Sequence, residues 1–587
     1  MRQADECRFR TFDGTELFYR RWAAVSGDTG AIVLFHRGHE HSGRISHLVD
    51  ELGLDDFSFY AWDARGHGRS PGPRGFSPSL GTSVRDVEDF VAYAALDSGH
   101  AIEDVAVIAQ SVGAVLVATW LHDYAPGIRC AVLASPAFKV KLYVPMARQG
   151  IAFMQKLRGN FYVNSYVKAK FLTHDPERIA SFNSDPLISR PISSNILSSL
   201  YSTAERVVAD AQAITLPVQL LISGSDFVVH HKPQHQFFER LGSPVKEQHV
   251  LPGFYHDTLG ELDREKALKL VRKFIQARFA EPRAEVDLTS AHKSGPMKAE
   301  ADRLSAPLPA FSPRGMYWSL TRQSMKFGGA LSEGVKLGQQ TGFDSGSTLD
   351  YVYRNEPGGL LPVGKLIDRN YLQSIGWRGI RQRKTHVEEL IGEAMKRLHE
   401  AGSPIHVMDI AAGHGRYVLE ALDFSAIRPD SILLRDYSDL NVRQGSELIA
   451  SKNLAGIARF VKGDAFDSDS LAAVTPRPTL SIVSGLYELF PDNDLVGRSL
   501  SGVAAAVPAG GYLIYTGQPW HPQLELIARA LTSHRGGQAW VMRRRTQAEM
   551  DQLVARAGFR KLTQRIDEWG IFTVSLAVRD ASSPRVA

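Results

Sequence analysis

This sequence predicts two α/β domains in tandem, each a mostly parallel sheet wrapped by helices, and three observations lead there. The chain has 587 residues, too many for a single hydrophobic core, which stops growing near ~250–300 residues. Short apolar strands alternate with helical patterns twice over, on either side of a segment rich in proline, serine and charge. Each half also contains one strand that breaks at a turn of small residues and resumes at once as a helix: "VIAQSVGAVLVATW" around Ser111 and "VMDIAAGHGRYVLEAL" around Gly413.

In order along the chain, "CRFRTF" and "ELFYRRW" form a hairpin around Asp13 and Gly14, followed by the strands "AIVLFH", "FSFYAW", "DVAVIA", "CAVLAS", "PVQLLISG" and "EQHVLP". This first domain covers 1–280. Its long insertion at about 137–212 has helical periodicity and aromatics, the usual make-up of a cap over a site. Residues 281–314 carry little apolar periodicity and read as a linker. The second domain, 315–587, opens with a mixed region that turns helical around 380–400. A second strand series follows, from "PIHVMDI" to "FTVSLAV", whose last two members are close enough to pair as an antiparallel hairpin.

Two cysteines, Cys7 and Cys130, make neither a disulfide framework nor a zinc cluster. No metal site is expected. The N-terminal "MRQADECRFRTFDG" is charged from the start and does not read as a signal peptide, and no run of roughly eighteen apolar residues suggests a spanning helix. A reducing, cytoplasmic setting is the expectation. The net charge of +5 points to no particular partner.

A serine on a sharp strand-to-helix turn needs small neighbours two residues before and after it. Ala109 and Gly113 meet that demand, so "AQSVG" has the sterics of a nucleophile elbow. The hydroxyl becomes a nucleophile only when a histidine takes its proton, and a carboxylate must fix that histidine's tautomer. On such a sheet the partners follow as acid and then histidine at the ends of later strands. Asp226, after "PVQLLISG", and His256, after "EQHVLP", stand in that order. The oxyanion donors would be the backbone N–H groups of Val112 and Gly38. The loop "FHRGHEHSGR", "DARGHGRS", the elbow and "LTHDPERIASFNSDPL" together resemble the monoacylglycerol lipase and lysophospholipase branch of the α/β-hydrolases, over nearly all of residues 1–280. The resemblance implies an α/β-hydrolase fold with a helical cap, Ser111 as nucleophile, Asp226 as acid and His256 as base. Arg37 stands where that family usually has glycine, and the Asp63 to Ser70 motif reads as a structural turn.

The second turn has no serine. A glycine turn after a strand, with an acid at the end of the next strand, reads as a nucleotide site. Valine at 418 breaks the dinucleotide fingerprint, so a nicotinamide cofactor is disfavoured. Asp409, Ala411, Gly413 and Gly415 fit the class I methyltransferase pattern with its first glycine replaced by alanine. Asp436 falls at the spacing of a ribose-binding acid, and Asp464 stands where an adenine-contacting acid follows the third strand. S-adenosyl-L-methionine is the implied cofactor on a Rossmann-like fold. Residues 315–580 resemble a methyltransferase family often fused behind a hydrolase, and the resemblance brings no acceptor. Tyr487, Glu488 and His521 are candidates for acceptor contact; Asp350, Tyr351 and Tyr353 either close over the ligands or belong to the core.

Between Ala137 and His174 lie seven cations (Lys139, Lys141, Arg148, Lys156, Arg158, Lys168 and Lys170) with no acid, interleaved with apolar residues including Leu142, Tyr143, Val144, Phe153 and Leu157. Such a segment either meets an anionic lipid surface or is a solvated basic face. The favoured reading is a bifunctional enzyme of lipid metabolism: a serine hydrolase for a small-molecule or lipid acyl ester, joined to an S-adenosyl-L-methionine-dependent methyltransferase of unknown acceptor, cytoplasmic, with peripheral membrane contact through the cap. Two alternatives stand beside it: a methyltransferase whose hydrolase-like half only binds a ligand, and a hydrolase regulated by a cofactor-sensing half. Nucleic acid is disfavoured as a partner, although "MRRR" (Met542–Arg545) and "RQRK" (Arg381–Lys384) keep it in view.

Overall fold

The computed structural model describes residues 2–141, 146–165, 167–283 and 285–580. Leu142, Tyr143 and Val144 of the basic segment lie outside them. The chain divides into two compact units, Met1–Val286 and Asp287–Ala587.

The first unit is built on strands β1 (Asp5–Arg10), β2 (Glu16–Trp22), β3 (Gly30–Phe35), β4 (Phe57–Trp62), β5 (Val105–Gln110) and β6 (Cys130–Ala134). After the cap, whose two short strands are β7 (Tyr162–Asn164) and β8 (Pro191–Ser193), come β9 (Val218–Ser223) and β10 (Lys246–Leu251). The sheet order is β1-β2-β4-β3-β5-β6-β9-β10, with the expected β1–β2 hairpin and β2–β4 antiparallel and every later pair parallel. Strands β3 to β6 and β9 are buried along their whole length. Helices cover both faces, so these strands read as unbroken apolar runs rather than alternating ones. The insertion between β6 and β9 forms the cap, and the unit has the α/β-hydrolase fold.

The second unit holds β11 (His406–Asp409), β12 (Ser431–Asp436), β13 (Ala458–Lys462), β14 (Leu480–Val483), β15 (Tyr512–Gly517), β16 (Phe559–Ile566) and β17 (Thr573–Arg579). Their order is β13-β12-β11-β14-β15-β17-β16, parallel except for β17, which runs antiparallel to both its neighbours. The order reverses between β11 and β14, the switch point where a Rossmann-like sheet opens a crevice for ligands.

One boundary differs from the expectation. The stretch 281–314 is not a free linker, because the second unit begins at Asp287. Inside it Pro296–Ser305 is a helix that buries Met297, Ala301 and Leu304. These three, at spacings of four and three, make one helical stripe that the proline, serine and charge around it obscure. Glu300 on the same helix pairs with Arg544 at 2.6 Å. The region 313–400 is helical throughout its ordered elements, as Pro313–Leu331, Glu333–Thr341, Gly346–Arg354, Leu361–Leu372 and Ile375–Glu400. Among the described residues no helix is long and apolar enough to cross a membrane. The "MRRR" run is internal: Arg543, Arg544 and Arg545 are all buried, with Arg543 bonded to Glu549 and Asn493, and Arg545 to Asn493 and the carbonyl oxygens of Tyr487 and Phe490.

Candidate active sites

Strand β5 ends at Gln110, and Ser111 turns the chain at φ 57°, ψ −117° into the helix Val112–Tyr124. A non-glycine residue at positive φ is strained and persists only where packing fixes it. Ala109 is buried in β5, and a Cβ at Gly113 would stand 2.4 Å from the carbonyl oxygen of His36. The elbow therefore exists because its flanks are small.

Ser111 Oγ lies 2.7 Å from His256 Nε2, and His256 Nδ1 lies 2.7 Å from Asp226 Oδ2. The other oxygen of Asp226 accepts the N–H groups of Val228 and Val229, at 2.7 and 2.9 Å. All three side chains are buried. Burial works to raise the Asp226 pKa, but the neighbouring imidazole and the two N–H donors outweigh it and hold the carboxyl below the usual carboxylate range. An ionised Asp226 keeps the His256 proton on Nδ1 and leaves Nε2 free to take the serine proton.

Arg37, the departure from the glycine of the resembling family, is accommodated without blocking the site. Its buried guanidinium bonds both oxygens of Glu40, at 2.9 and 2.5 Å, and lies 3.4 Å from Asp257. Asp257 also takes Arg178 at 2.9 Å and Gln110 at 3.1 Å. This network anchors the loop while Gly38 stays in the cavity wall against Val112, whose Cγ2 would meet a Cβ at Gly38 at 3.0 Å. Asp63 accepts the N–H groups of Ser42 and Arg69, as a structural turn requires. Ser111, His256 and Gly38 open into a cavity of about 550 Å³ whose walls are apolar side chains of helix and cap, among them Leu116, Ile151, Phe182, Leu197 and Leu200.

In the second unit the turn after β11 is held from beneath. Asp409 Oδ1 accepts the Ala411 N–H at 3.1 Å, and burial, set against only that bond and the Tyr417 hydroxyl, pushes its carboxyl up to about 7. Asp409 is fully buried and shapes the turn instead of facing the crevice. Gly413 and Gly415 take positive φ, and Gly415 caps the helix Arg416–Ala421. Asp436 Oδ2 accepts the Gly413 N–H at 3.0 Å and its Oδ1 the Ser438 N–H at 2.9 Å. Ala411, Gly413, Asp436 and Asp464 all line a crevice of about 700 Å³ at the switch point. Its far wall is the helix Gly346–Arg354, tied down by Asp350 to Arg416 at 2.6 Å. Asp350 and Tyr353 line the crevice; Tyr351 is core, its hydroxyl donating to Asp368 at 2.5 Å.

Comparison with known proteins matches two families to the chain. Residues 271–579 match the family model described as "Putative methyltransferase", more than half of the chain, and residues 27–263 match the model described as "Serine aminopeptidase, S33". The "Uncharacterized protein YnbC" of Escherichia coli (strain K12) is 60% identical over 572 residues, covering 97% of this chain and 98% of that one. The chain belongs to this methyltransferase family. Its N-terminal half is related to monoacylglycerol lipases: that of Mycolicibacterium smegmatis is 27% identical over 272 residues, 46% of this chain and 96% of the lipase. The solved monoacylglycerol lipase of Paleococcus ferrophilus has a TM-score of 0.41 at 24% identity, covering 45% of this chain and 99% of that one.

For this family member, the acceptor-side expectations divide. Tyr487 is withdrawn from the site: it is buried with its hydroxyl on Ser499 at 2.9 Å, because the short 3-10 turn Tyr487–Leu489 points it inward. Glu488 and His521 do share a wall, in a second, apolar chamber of about 580 Å³ that has Asp344, Leu349, Gly485 and Leu489 in common with the crevice. His521 Nδ1 accepts the Gln523 N–H at 3.0 Å, so the neutral ring carries its proton on Nε2. Burial, helped by Arg544, drops its pKa to about 3. Arg383, read from sequence only as part of a basic run, lines the same chamber and is buried. A sequence signal for it existed: on the helix Ile375–Glu400, position 383 falls on the stripe of Ile380, Val387 and Leu390, where a charge has no place without a partner.

Proposed function

We infer that the first unit is a serine ester hydrolase for a monoacyl lipid or similar acyl ester and the second an S-adenosyl-L-methionine-dependent methyltransferase, the two serving lipid metabolism in the cytoplasm. The observation that carries the hydrolase reading is the unbroken line Ser111–His256–Asp226 beneath an apolar cavity. The serine hydroxyl attacks the acyl carbonyl as His256 Nε2 takes its proton. Negative charge developing on the carbonyl oxygen falls to the N–H groups of Val112 and Gly38. His256 then protonates the departing alcohol, and water clears the acyl group by the same route in reverse. A chain-shaped acyl group suits a cavity walled by Leu116, Ile151 and Leu200. The exposed cap helix Ala147–Arg158, which buries no residue and presents Phe153 and Leu157 beside Lys156 and Arg158, supports delivery of the ester from an anionic lipid surface.

For the second unit, the crevice fits the cofactor on its own terms. A Cβ at Gly413 would already touch the Gly346 backbone at 3.4 Å across the crevice, so a close-lying ligand needs glycine there. Asp436 and Asp464 offer acceptors to ribose and adenine, and Tyr353 and Phe466 offer faces. When bound, S-adenosyl-L-methionine supplies a methyl group on a positively charged sulfur; the chain's part is to orient it and to exclude water. A fluorophosphonate probe tests the first reading, with labelling of wild type and none of Ser111→Ala expected. Isothermal titration with S-adenosyl-L-methionine tests the second. Absence of labelling leaves the N-terminal half as a binding module, and cofactor binding without any methyl transfer leaves the C-terminal half as a sensor.

A further inference from the structure

The chamber beside the crevice combines two features seldom found together. Its walls are apolar, with Trp377, Ile380, Trp540, Met542 and Phe572, yet it encloses a charged pair. Glu488 is fixed from one side by a short chain: the Gly485 N–H donates to Thr516 Oγ1 at 2.8 Å, whose hydroxyl donates to Glu488 Oε1 at 2.7 Å. The other oxygen, Oε2, is buried and has no hydrogen-bond partner. Arg383 Nη1 stands 3.8 Å from Oε1, too far for a hydrogen bond, with its guanidinium 5.2 Å over the Phe572 ring. The two side chains are 7% and 3% exposed. A buried carboxylate oxygen left without a donor is costly unless a ligand supplies one. His521, its Nε2 proton free of the ring's other bond, adds a neutral donor to the same wall.

The outer rim of the chamber is equally unusual. Tyr317 and Leu320 on the helix Pro313–Leu331, and Ile367 and Asn370 on Leu361–Leu372, line it. Outward from that rim the same two helices expose Leu320 at 67%, Phe327 at 72%, Leu361 at 74% and Leu366 at 56%. Among the described residues of the second unit, nine exposed large apolar side chains fall between Phe311 and Leu366 and three elsewhere. An apolar patch of this density marks an interaction surface. Its charge is one-sided: the two helices carry Arg314, Arg322, Lys326, Lys365 and Arg369, and their single acid, Asp368, is buried under bonds from Ser332, Gly334 and Tyr351. Arg314 is answered by Glu525 from another helix, which leaves the excess positive. Cations around exposed leucine and phenylalanine complement an anionic headgroup layer over acyl chains.

We propose that this chamber is the methyl-acceptor site, that the acceptor is a lipid drawn from an anionic membrane surface between the helices Pro313–Leu331 and Leu361–Leu372, and that Glu488 holds the reacting hydroxyl or amine. The proposal rests on the methyltransferase reading of the second unit. The apolar walls take the lipid's chain, and Oε2 of Glu488 accepts the hydrogen bond of the O–H or N–H group at the end shared with the crevice. As that group gains a methyl it loses one proton, which Glu488 takes and later returns to water; the methyl–sulfur bond breaks with its electron pair left on sulfur, discharging the sulfur's positive charge.

The test uses the full chain carrying Leu157→Asp, which weakens the lipid contact proposed for the cap, and vesicles of phosphatidylethanolamine and phosphatidylglycerol, which offer an amine and hydroxyls. Cosedimentation, cofactor titration and transfer of a tritiated methyl group to the lipid fraction are read together. Leu361→Asp with Leu366→Asp is expected to lose at least tenfold in vesicle binding and in transfer while cofactor affinity holds. Glu488→Gln is expected to keep vesicle binding and cofactor affinity within about twofold and to lose at least 100-fold in transfer. Cofactor bound with no label reaching lipid, or equal vesicle binding by the patch variant, overturns the acceptor proposal. Failure of the cofactor to bind at all overturns the methyltransferase reading beneath it.

Discussion

The missing side chain of Gly113 and the carbonyl oxygen of His36 occupy adjoining space, so that a Cβ at 113 would approach that oxygen to 2.4 Å. The clash would be with backbone, which cannot swing aside. Gly113→Ala must therefore push the Ser111 turn away from β3, at a cost of about 1–3 kcal/mol in stability for overpacking. It must also move Oγ relative to His256, where a displacement near 1 Å costs about 100-fold in rate. Gly150→Ala, where nothing stands within 4 Å, is the control. Ester hydrolysis and fluorophosphonate labelling check the pair: the first variant should lose both, the second neither.

Asp226 stays ionised through the neutral range because His256 and two backbone N–H groups hold its pKa down against burial. Asp226→Asn preserves size and shape but favours the opposite His256 tautomer, with the Nε2 proton facing Ser111. Turnover should fall by about 10³- to 10⁴-fold, while the melting temperature moves little compared with Asp226→Ala. A loss of less than tenfold would mean the tautomer is set by something else.

The strands of both sheets, the two glycine or serine turns and the Ser, Asp, His order could be read from residues because each depends on local pattern: unbroken apolar runs, small residues around Ser111, acids at strand ends. What escaped depended on partners far away in sequence. The stripe Met297, Ala301, Leu304 lay inside a segment with linker composition, and only its burial shows it to be structural. Nothing in the basic run Arg543 to Arg545 itself tells of Glu549, Glu300 and Asn493, which enclose it. Tyr487 and Glu488 are adjacent in sequence yet face a core and a chamber respectively, a difference decided by one turn of 3-10 helix. Asp409 fits a cofactor pattern by spacing, and its carboxylate nonetheless serves the turn.

Asp436 and Asp464 both line the crevice but differ in what they support. Asp436 binds the Gly413 and Ser438 N–H groups and so shapes the turn that meets the cofactor, whereas exposed Asp464 accepts only the Phe466 N–H. Asp436→Ala leaves two backbone donors unpaired and removes a ribose acceptor, a combined loss of about 3 kcal/mol or roughly 100-fold in affinity. Asp464→Ala should weaken binding by about tenfold, one hydrogen bond's worth. Calorimetric titration of both variants with S-adenosyl-L-methionine checks the ranking, and equal affinities would remove Asp436 from the role given to it.

The carboxyl of Asp409, raised by burial to about 7 against an ordinary value of 3.8, also makes the second unit's stability depend on pH. Between those two values the folded chain keeps a proton that the unfolded chain has lost. Stability contributed by this group is therefore intact below about pH 4, declines as pH rises toward 7, and stays low above it. A gap of about three pKa units sets a ceiling near 4 kcal/mol. Asp409→Asn is neutral at every pH and keeps an oxygen for the Ala411 N–H, so it should melt close to wild type near pH 4, already higher at pH 5 and highest from pH 7 upward, the difference widening between pH 4 and 7. Scanning calorimetry on the full chain reads this directly in the transition that shifts with S-adenosyl-L-methionine. A difference that stays constant across pH 5–8 would show that Asp409 is already ionised at the acid end and that burial does not govern it.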